Sequence, residues 1–366
     1  MENFFLKKKV LIAPLDWGLG HASRCIPIIK HLQKRGCEVI IAADGEQLTL
    51  LKKEFPGLGS IQLKGYNVNY SKHKRWLGAK ILWQIPKILL RIRQEHIFLK
   101  NTIRKHRIDL VISDNRYGLY TNEIACIFIT HQLTVKAPFK WMEELITKIN
   151  YSFISRFTQC WVPDFEGEKN IAGNLSHPGK MPGIITQYLG PLSRFQKTDV
   201  KPIIYKYLFV LSGPEPQRTI LEEKVVKIAS QLEGKILIVR GRPDENGQLP
   251  SSNKRIIKNH LATTEMQNAF LQSEYIISRS GYTTIMELLS LGKKSLLIPT
   301  PGQTEQKYLA QRLMQQQWCY SCNQEDDLLY QIQQAEKMEY IGPNLGVPVY
   351  EKVIDDFLKN LYPEID

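Results

Sequence analysis

His21 closes the run Pro14-Leu-Asp-Trp-Gly-Leu-Gly-His21, which follows a short apolar stretch and opens a helix-length periodic segment. A neutral imidazole near pH 7 can take a proton from a hydroxyl, so His21 is a candidate general base. The alternative is a helix-capping or anion-contacting histidine. Asp114 ends a second apolar stretch, Val-Ile-Ser-Asp114-Asn-Arg116. In a parallel sheet it shares an edge with His21, where a carboxylate orients the ring and stabilises its protonated form. The alternative for Asp114 is a cap on the next helix. Gly18 and Gly20 let a ligand approach the backbone, although a tight turn needs the same glycines. Arg116 and His131, also at strand ends, are candidate acceptor contacts.

A second set of residues suits an anion. Residues 278–287 read Ser-Arg-Ser-Gly-Tyr-Thr-Thr-Ile-Met-Glu. There a strand ends in a small-residue turn and a helix begins, so free amides and the helix dipole favour a diphosphate. Arg279, Ser280, Gly281, Thr283 and Thr284 are the candidate contacts. Glu287 lies where a ribose diol could bond its carboxylate. The turn Pro299-Thr-Pro-Gly-Gln303-Thr-Glu305-Gln306 offers Gln303, Glu305 and Gln306 to sugar hydroxyls. Ser212, Gly213 and Arg218, in Ser-Gly-Pro-Glu-Pro-Gln-Arg, resemble a phosphate-approach loop, and the two prolines explain a rigid turn equally well.

The elements that must hold these residues follow from the apolar pattern. Short apolar runs alternate with helix-length segments, as in parallel sheets flanked by helices. Strands are expected at 10–14, 38–43, 108–113, 125–130 and 159–163, with a helix over 23–35 ended by Gly36. Residues 173–202 are rich in Gly and Pro and read as a linker. Beyond it, strands are expected at 207–211, 235–240, 275–278 and 295–299, and helices at 219–232, 283–291, 305–316 and 349–361. This divides the chain into a first domain, 1–192, a second domain, 193–348, and a last helix, 349–366, packed back on the first domain. Ligands in such sheets bind beyond the carboxyl ends of the strands.

The chain has 366 residues and a net charge of +13, in line with two domains and an anionic partner. The excess is local: residues 72–107 hold 11 Lys+Arg and one acid, Glu95. Pro86 is expected to split this stretch into a short piece and a helix over 87–106. On a helical wheel Ile88, Leu89, Ile92, Leu99 and Ile103 share a face that should pack on the sheet. Leu90 and Ile97 lie opposite, with Phe98 to one flank, among Arg91, Arg93, Lys100, Arg104 and Lys105. Together with Trp76 and Trp83, they suit an anionic membrane surface, the alternative being a solvated basic helix. The six cysteines include the C-x-x-C pair Cys319 and Cys322, with no nearby His to complete a zinc site. Neither a signal peptide nor an 18-residue apolar run is legible, so a cytoplasmic protein is expected. No recognised nucleic-acid motif is present.

Residues 278–306 resemble the donor-binding region of glycosyltransferase family 28, of the GT-B fold. In that family a strand–Arg-Ser-Gly–helix unit ends in a ribose-binding Glu eight residues after the Arg, and Arg279 and Glu287 repeat this spacing. Gly20-His21 matches the end of the family's N-terminal Gly-rich loop, while Asp16, Trp17 and Leu19 depart from it. The resemblance implies an α/β fold of two Rossmann-like domains with parallel sheets facing across a cleft. It implies an inverting transfer from a nucleotide-sugar, most readily a UDP-sugar, with no bound metal or further cofactor. His21 and Asp114 resemble the dyad of plant-type members of the fold. The expected acceptor is lipid-linked or membrane-associated, and the expected location is cytoplasmic, peripheral on the inner face of the cytoplasmic membrane. The rivals are a UDP-N-acetylglucosamine 2-epimerase-like enzyme and a non-catalytic nucleotide-sugar or lipid-binding protein.

Overall fold

The computed structural model describes residues 8–66, 77–137, 139–196, 201–242, 247, 249–343 and 346–363, of which 77–85 are described by their backbone alone. Trp76 lies outside the described residues, as does the side chain of Trp83. The chain divides into two compact units, with the boundary between Leu192 and Ser193 and the C-terminal residues assigned to the first unit.

The first unit is built on a seven-stranded sheet in the order β3-β2-β1-β4-β5-β6-β7. These strands are β1 (Lys9–Pro14), β2 (Glu38–Ala43), β3 (Gly59–Gln62), β4 (Leu110–Asp114), β5 (Ala125–Ile129), β6 (Gln159–Val162) and β7 (Ile185–Tyr188). Every pair is parallel. The central strands are buried on both faces, which is why they read as unbroken apolar runs. The helices are α1 (Leu19–Lys34), α2 (Gly45–Glu54), α3 (Leu77–His106), α4 (Lys140–Ile154) and α10 (Tyr350–Leu361).

Helix α1 starts four residues earlier than its apolar pattern suggests, because Gly18, at φ +83°, turns the chain straight out of β1. Gly36, also at φ +83°, takes the left-handed position just past its end. Helix α3 is continuous through Pro86, a correction to the expected break there. Its buried face carries Ile92, Leu99 and Ile103, but Leu89 is exposed and the acid Glu95 is buried in its place. Residues 173–202 are not merely a linker, since β7 lies within them as the outer strand of the sheet. Helix α10 docks on α1: Asp355 accepts from His31 Nε2 at 2.8 Å and from Arg35 Nε at 2.7 Å. Its Phe357 packs edge-on against Trp161.

The second unit carries a six-stranded sheet in the order β10-β9-β8-β11-β12-β13. Its strands are β8 (Tyr205–Val210), β9 (Ile236–Val239), β10 (Arg255–Lys258), β11 (Ser273–Ser278), β12 (Lys294–Leu297) and β13 (Tyr320–Ser321), again all parallel. The helices are α5 (Gln217–Ile228), α6 (Thr263–Leu271), α7 (Tyr282–Ser290), α8 (Thr304–Gln315) and α9 (Leu328–Lys337). Both sheets reverse their strand order once, between β1 and β4 and between β8 and β11. Loops on either side of such a point diverge and leave a crevice for a ligand.

Candidate functional site

At the first reversal, Pro14 and Asp114 are register partners at the ends of β1 and β4. His21 sits in the first turn of α1, and its Nδ1 lies 3.0 Å from Asp114 Oδ1. The structure thus brings together two residues that the sequence left far apart. It adds a third that sequence reasoning missed. Arg24, one turn along α1, donates through Nε to Asp114 Oδ2 at 2.6 Å and through Nη2 to Asp114 Oδ1. Its Nη1 lies 3.2 Å from His131 Nδ1, just past β5. Arg24, Asp114 and His131 are buried, whereas the His21 side chain keeps 15% of its surface open.

The charges in this cluster decide its chemistry. Burial pushes the Asp114 carboxyl up, but Arg24 and His21 outweigh it and hold the group well below the usual carboxylate range. Burial lowers the basicity of His21; Asp114 raises it and Arg24 lowers it, leaving the ring below its ordinary value. His21 is therefore neutral at pH 7. Asp114 is the strongest acceptor near Nδ1, so the proton belongs on Nδ1 and the lone pair on Nε2. Cys25, 3.8 Å from Asp114, stays a protonated thiol because burial raises it.

The turn before α1 is pinned rather than open. Asp16 Oδ1 accepts from the Tyr66 amide at 2.9 Å, and Gln47 Nε2 donates to the carbonyls of Asp16 and Gly18. A Cβ on Gly65 would fall 2.1 Å from Asp16 Oδ2, so the facing segment also requires glycine. Gly20 is the second residue of α1. Arg116 is a correction. It is fully buried, donating to Pro14 O at 2.8 Å and to Glu95 Oε1 at 2.9 Å, and so has no surface open to a ligand. Its charge neutralises Glu95, which in turn accepts from Tyr66 Oη and the Gly118 amide.

At the second reversal, the loop after β8 carries Ser212 and Gly213, and the loop after β11 carries Arg279, Ser280 and Gly281. Gly213 has φ +103°, and a Cβ there would meet Thr300 Oγ1 at 3.4 Å and Arg279 Nε at 3.7 Å. Both of those atoms are buried without a hydrogen-bond partner. Arg279 is otherwise spent on the fold: it donates to Gln217 O at 2.7 Å, to the carbonyls of Ile298 and Pro299, and to Gln324 Oε1. That corrects the expectation that its guanidinium lies open to a diphosphate. Burial lowers it to about 10, still a cation at neutral pH.

Ser280 Oγ donates to Gln306 O at 2.9 Å, which sets the start of α7 beside the start of α8. Gln306 Oε1 accepts from the Thr300 amide at 2.8 Å. Gly281 and Gln303 are the N-caps of α7 and α8, and neither helix start has a side-chain cap. Thr283, Thr284 and Glu305 lie partly exposed in these first turns. Two helix N-termini without caps thus lie side by side.

Two further donor-side expectations change. Arg218 is buried, donating to Glu215 of the loop at 2.7 Å and to Glu222 of α5, so its guanidinium is paired with two carboxylates. Glu287 is buried and accepts from Arg194 Nε at 2.7 Å. Burial pushes its carboxyl up while Arg194 draws it down. Arg194 lies in the joining segment and had no sequence signal, since a charged residue in a loop reads as solvated.

Residues 207–339 match the glycosyltransferase family 28 C-terminal domain. An uncharacterized glycosyltransferase of Methanosarcina acetivorans is 26% identical over 330 residues, covering 82% of this chain and 81% of the relative. A UDP-N-acetylglucosamine–N-acetylmuramyl-(pentapeptide) pyrophosphoryl-undecaprenol N-acetylglucosamine transferase of Haemophilus influenzae is 21% identical over 314 residues, covering 83% and 82%. Among solved structures, Acinetobacter baumannii MurG aligns at a TM-score of 0.55 with 15% identity over 96% of this chain and 99% of that one. The glycosyltransferase SnogD from Streptomyces nogalater aligns at 0.59 with 12% identity over 98% and 100%.

Proposed function

We propose how this glycosyltransferase of GT-B fold, similar to family 28, performs its transfer: His21 deprotonates an acceptor hydroxyl that displaces a nucleoside diphosphate from a nucleotide-sugar. The observation that carries the reading is the His21–Asp114 contact at a strand-order reversal. The hydroxyl proton passes to His21 Nε2. The acceptor oxygen bonds to the anomeric carbon as the bond to the diphosphate oxygen breaks, and the departing oxygen keeps the electron pair. Attack opposite the leaving group inverts the anomeric carbon. His21 becomes an imidazolium beside Asp114, which is already ionised to receive it.

The donor belongs to the second unit. Amides at the starts of α7 and α8 supply partial positive charge to the leaving diphosphate, and Gly213 lets phosphate approach over the buried Arg279 cation. That supply of charge supports a transfer without a metal, the sugar nucleotide itself carrying the leaving group. Gln303 and Glu305 lie at the start of α8 for sugar hydroxyls, and the ribose diol competes with Arg194 for Glu287. A UDP-sugar fits the name of the Haemophilus relative.

The acceptor is read as lipid-linked. On α3, Leu89, Leu90 and Ile97 are exposed among Lys87, Arg93, Lys100, Arg104 and Lys105. Phe139, the N-cap of α4, is exposed, as are Trp141, Leu145 and Ile149 at four-residue spacing. Ile88 and Ile92 of α3 share a cluster with Phe153 of α4, so the two helices are neighbours. Apolar side chains ringed by cations support docking on an anionic membrane surface. No helix among the described residues is long and apolar enough to cross a membrane. Calorimetry of the full chain against a panel of nucleotides and nucleotide-sugars tests the donor reading. Binding of a uridine nucleotide is expected, and binding of none would overturn it.

A further inference from the structure

We propose that Arg24 is a positioning residue that fixes the tautomer and the charge of His21, so that the ring stands as a neutral imidazole with its Nε2 lone pair outward. The inference rests on the reading of His21 as the base. It starts from competition at one atom. His21 Nδ1 has Asp114 Oδ1 at 3.0 Å and Arg24 Nη2 at 3.0 Å. One nitrogen cannot donate to the first and accept from the second at once. Charge resolves the competition: Arg24 already directs Nε and one Nη2 N–H to Asp114 in a two-pronged pairing, and the carboxylate is the stronger partner for a ring N–H than the guanidinium is for a ring lone pair. The ring therefore donates from Nδ1 to the carboxylate.

The same pairing limits how strongly Asp114 can attract a second proton. Asp114 alone would draw a proton onto His21 and hold it there, and an imidazolium cannot take a proton from an acceptor. Arg24 divides that negative charge and places a cation against the ring. Among the described residues, the charged and titratable groups acting on His21 are Arg24 on α1, Asp114 at the end of β4 and His131 after β5, while Cys25 lies against Asp114. Cys25 is a neutral thiol, so Arg24 and Asp114 cancel and the cluster is uncharged while both histidines are neutral. His131 holds the other end of the guanidinium. Arg24 Nη1 donates to its Nδ1 at 3.2 Å, which leaves the His131 proton on Nε2. The Arg24 side chain is almost wholly buried, so the arrangement is held by packing and not by a mobile surface cation.

The inference is specific to a planar fork. A lysine would supply the charge but not the paired bonds to Asp114. The test is long-range 1H–15N NMR of the full chain labelled at histidine, with the His21 signals identified by their loss in His21→Gln. In the native chain His21 is expected as the Nδ1–H tautomer. In Arg24→Met the proton affinity of His21 is expected to rise by about tenfold or more, which is one pH unit in its titration midpoint. Arg24→Lys should restore the midpoint to within about threefold, since the charge is back, but broaden the ring signals. An unmoved midpoint in folded Arg24→Met would overturn the proposal. If that variant does not fold, an Nε2–H tautomer in the native chain overturns it instead. None of these readings needs turnover, so a failure of His21 as the base would show separately, as undiminished activity in His21→Ala.

Discussion

His21 Nδ1 and Asp114 Oδ1 lie 3.0 Å apart although 93 residues separate them in the chain. The contact exists because β1 and β4 are register neighbours, so the loop after one and the end of the other share an edge. Replacing Asp114 by Asn keeps the shape but removes the charge that receives the imidazolium. Turnover should fall by about 10²–10⁴-fold, the usual worth of an acid–base group. The same change strands Arg24 in the interior, and thermal unfolding should show a loss of about 3–5 kcal/mol.

The pH dependence follows from the sign of the His21 shift. Its folded value lies below the ordinary 6.5, so the ring is already neutral at pH 7. Activity should be level from neutrality upward on its acid side and should decline only as pH falls below 6.5 and protons load the ring. A kcat/KM profile that still climbs steeply between pH 7 and 8 would contradict the burial of His21.

Much of this architecture was legible in the residues themselves. β1, β2, β4 and β5 are buried on both faces and read as unbroken apolar runs, and Gly36 marked the end of α1. β3 and β7 were not legible because outer strands keep half their side chains in water and lose the apolar run. α4 was missed for a related reason: part of its apolar face points outward. His21 and Asp114 could be found because each ends or follows a strand. Arg24 could not, because a cation in a helix reads as solvated unless its buried carboxylate partner is known. Arg116, Arg218 and Arg279 misled in the opposite direction. Each stands at a strand end or helix start, yet each has its terminal nitrogens bonded to carbonyls, carboxylates or an amide of the fold.

Arg194 and Glu287 offer a test of the second unit. Arg194→Ala leaves Glu287 buried and unpaired, and its carboxyl should rise further. A carboxylate whose folded value is raised adds stability only at low pH and loses it as pH rises through that value. The stability gap between variant and native chain should therefore widen from pH 5 to pH 8, reaching about 3–5 kcal/mol. Thermal unfolding at the two pH values reads this directly. An equal gap at both would mean that Glu287 is already neutral.

Gly213 tests the phosphate loop. Its φ of +103° is costly for any residue with a Cβ, while the new atom would only come into contact with Thr300 Oγ1, at 3.4 Å. Gly213→Ala should cost about 1–2 kcal/mol of stability and weaken nucleotide binding in calorimetry. Full affinity in the variant would remove this loop from the donor site.

The membrane surface is separable from both. Trp141→Ser with Leu145→Ser removes side chains that are 65% and 52% exposed, so stability should change by less than about 1 kcal/mol. Co-sedimentation with vesicles of phosphatidylglycerol in phosphatidylcholine should fall, and native binding should weaken as salt is raised. Binding indifferent to the anionic lipid would contradict the docking surface.

The central claim is that His21 acts on the acceptor and not on the donor. The direct measurement compares the native chain with His21→Ala in two assays: calorimetry with the best-binding nucleotide, and nucleoside diphosphate release from the matching sugar nucleotide, with a total lipid extract supplying the acceptor. The account predicts nucleotide affinity within about twofold of native, because the proposed donor contacts belong to the other unit, and a loss of turnover of about 10²–10⁴-fold. Native turnover in His21→Ala would contradict it.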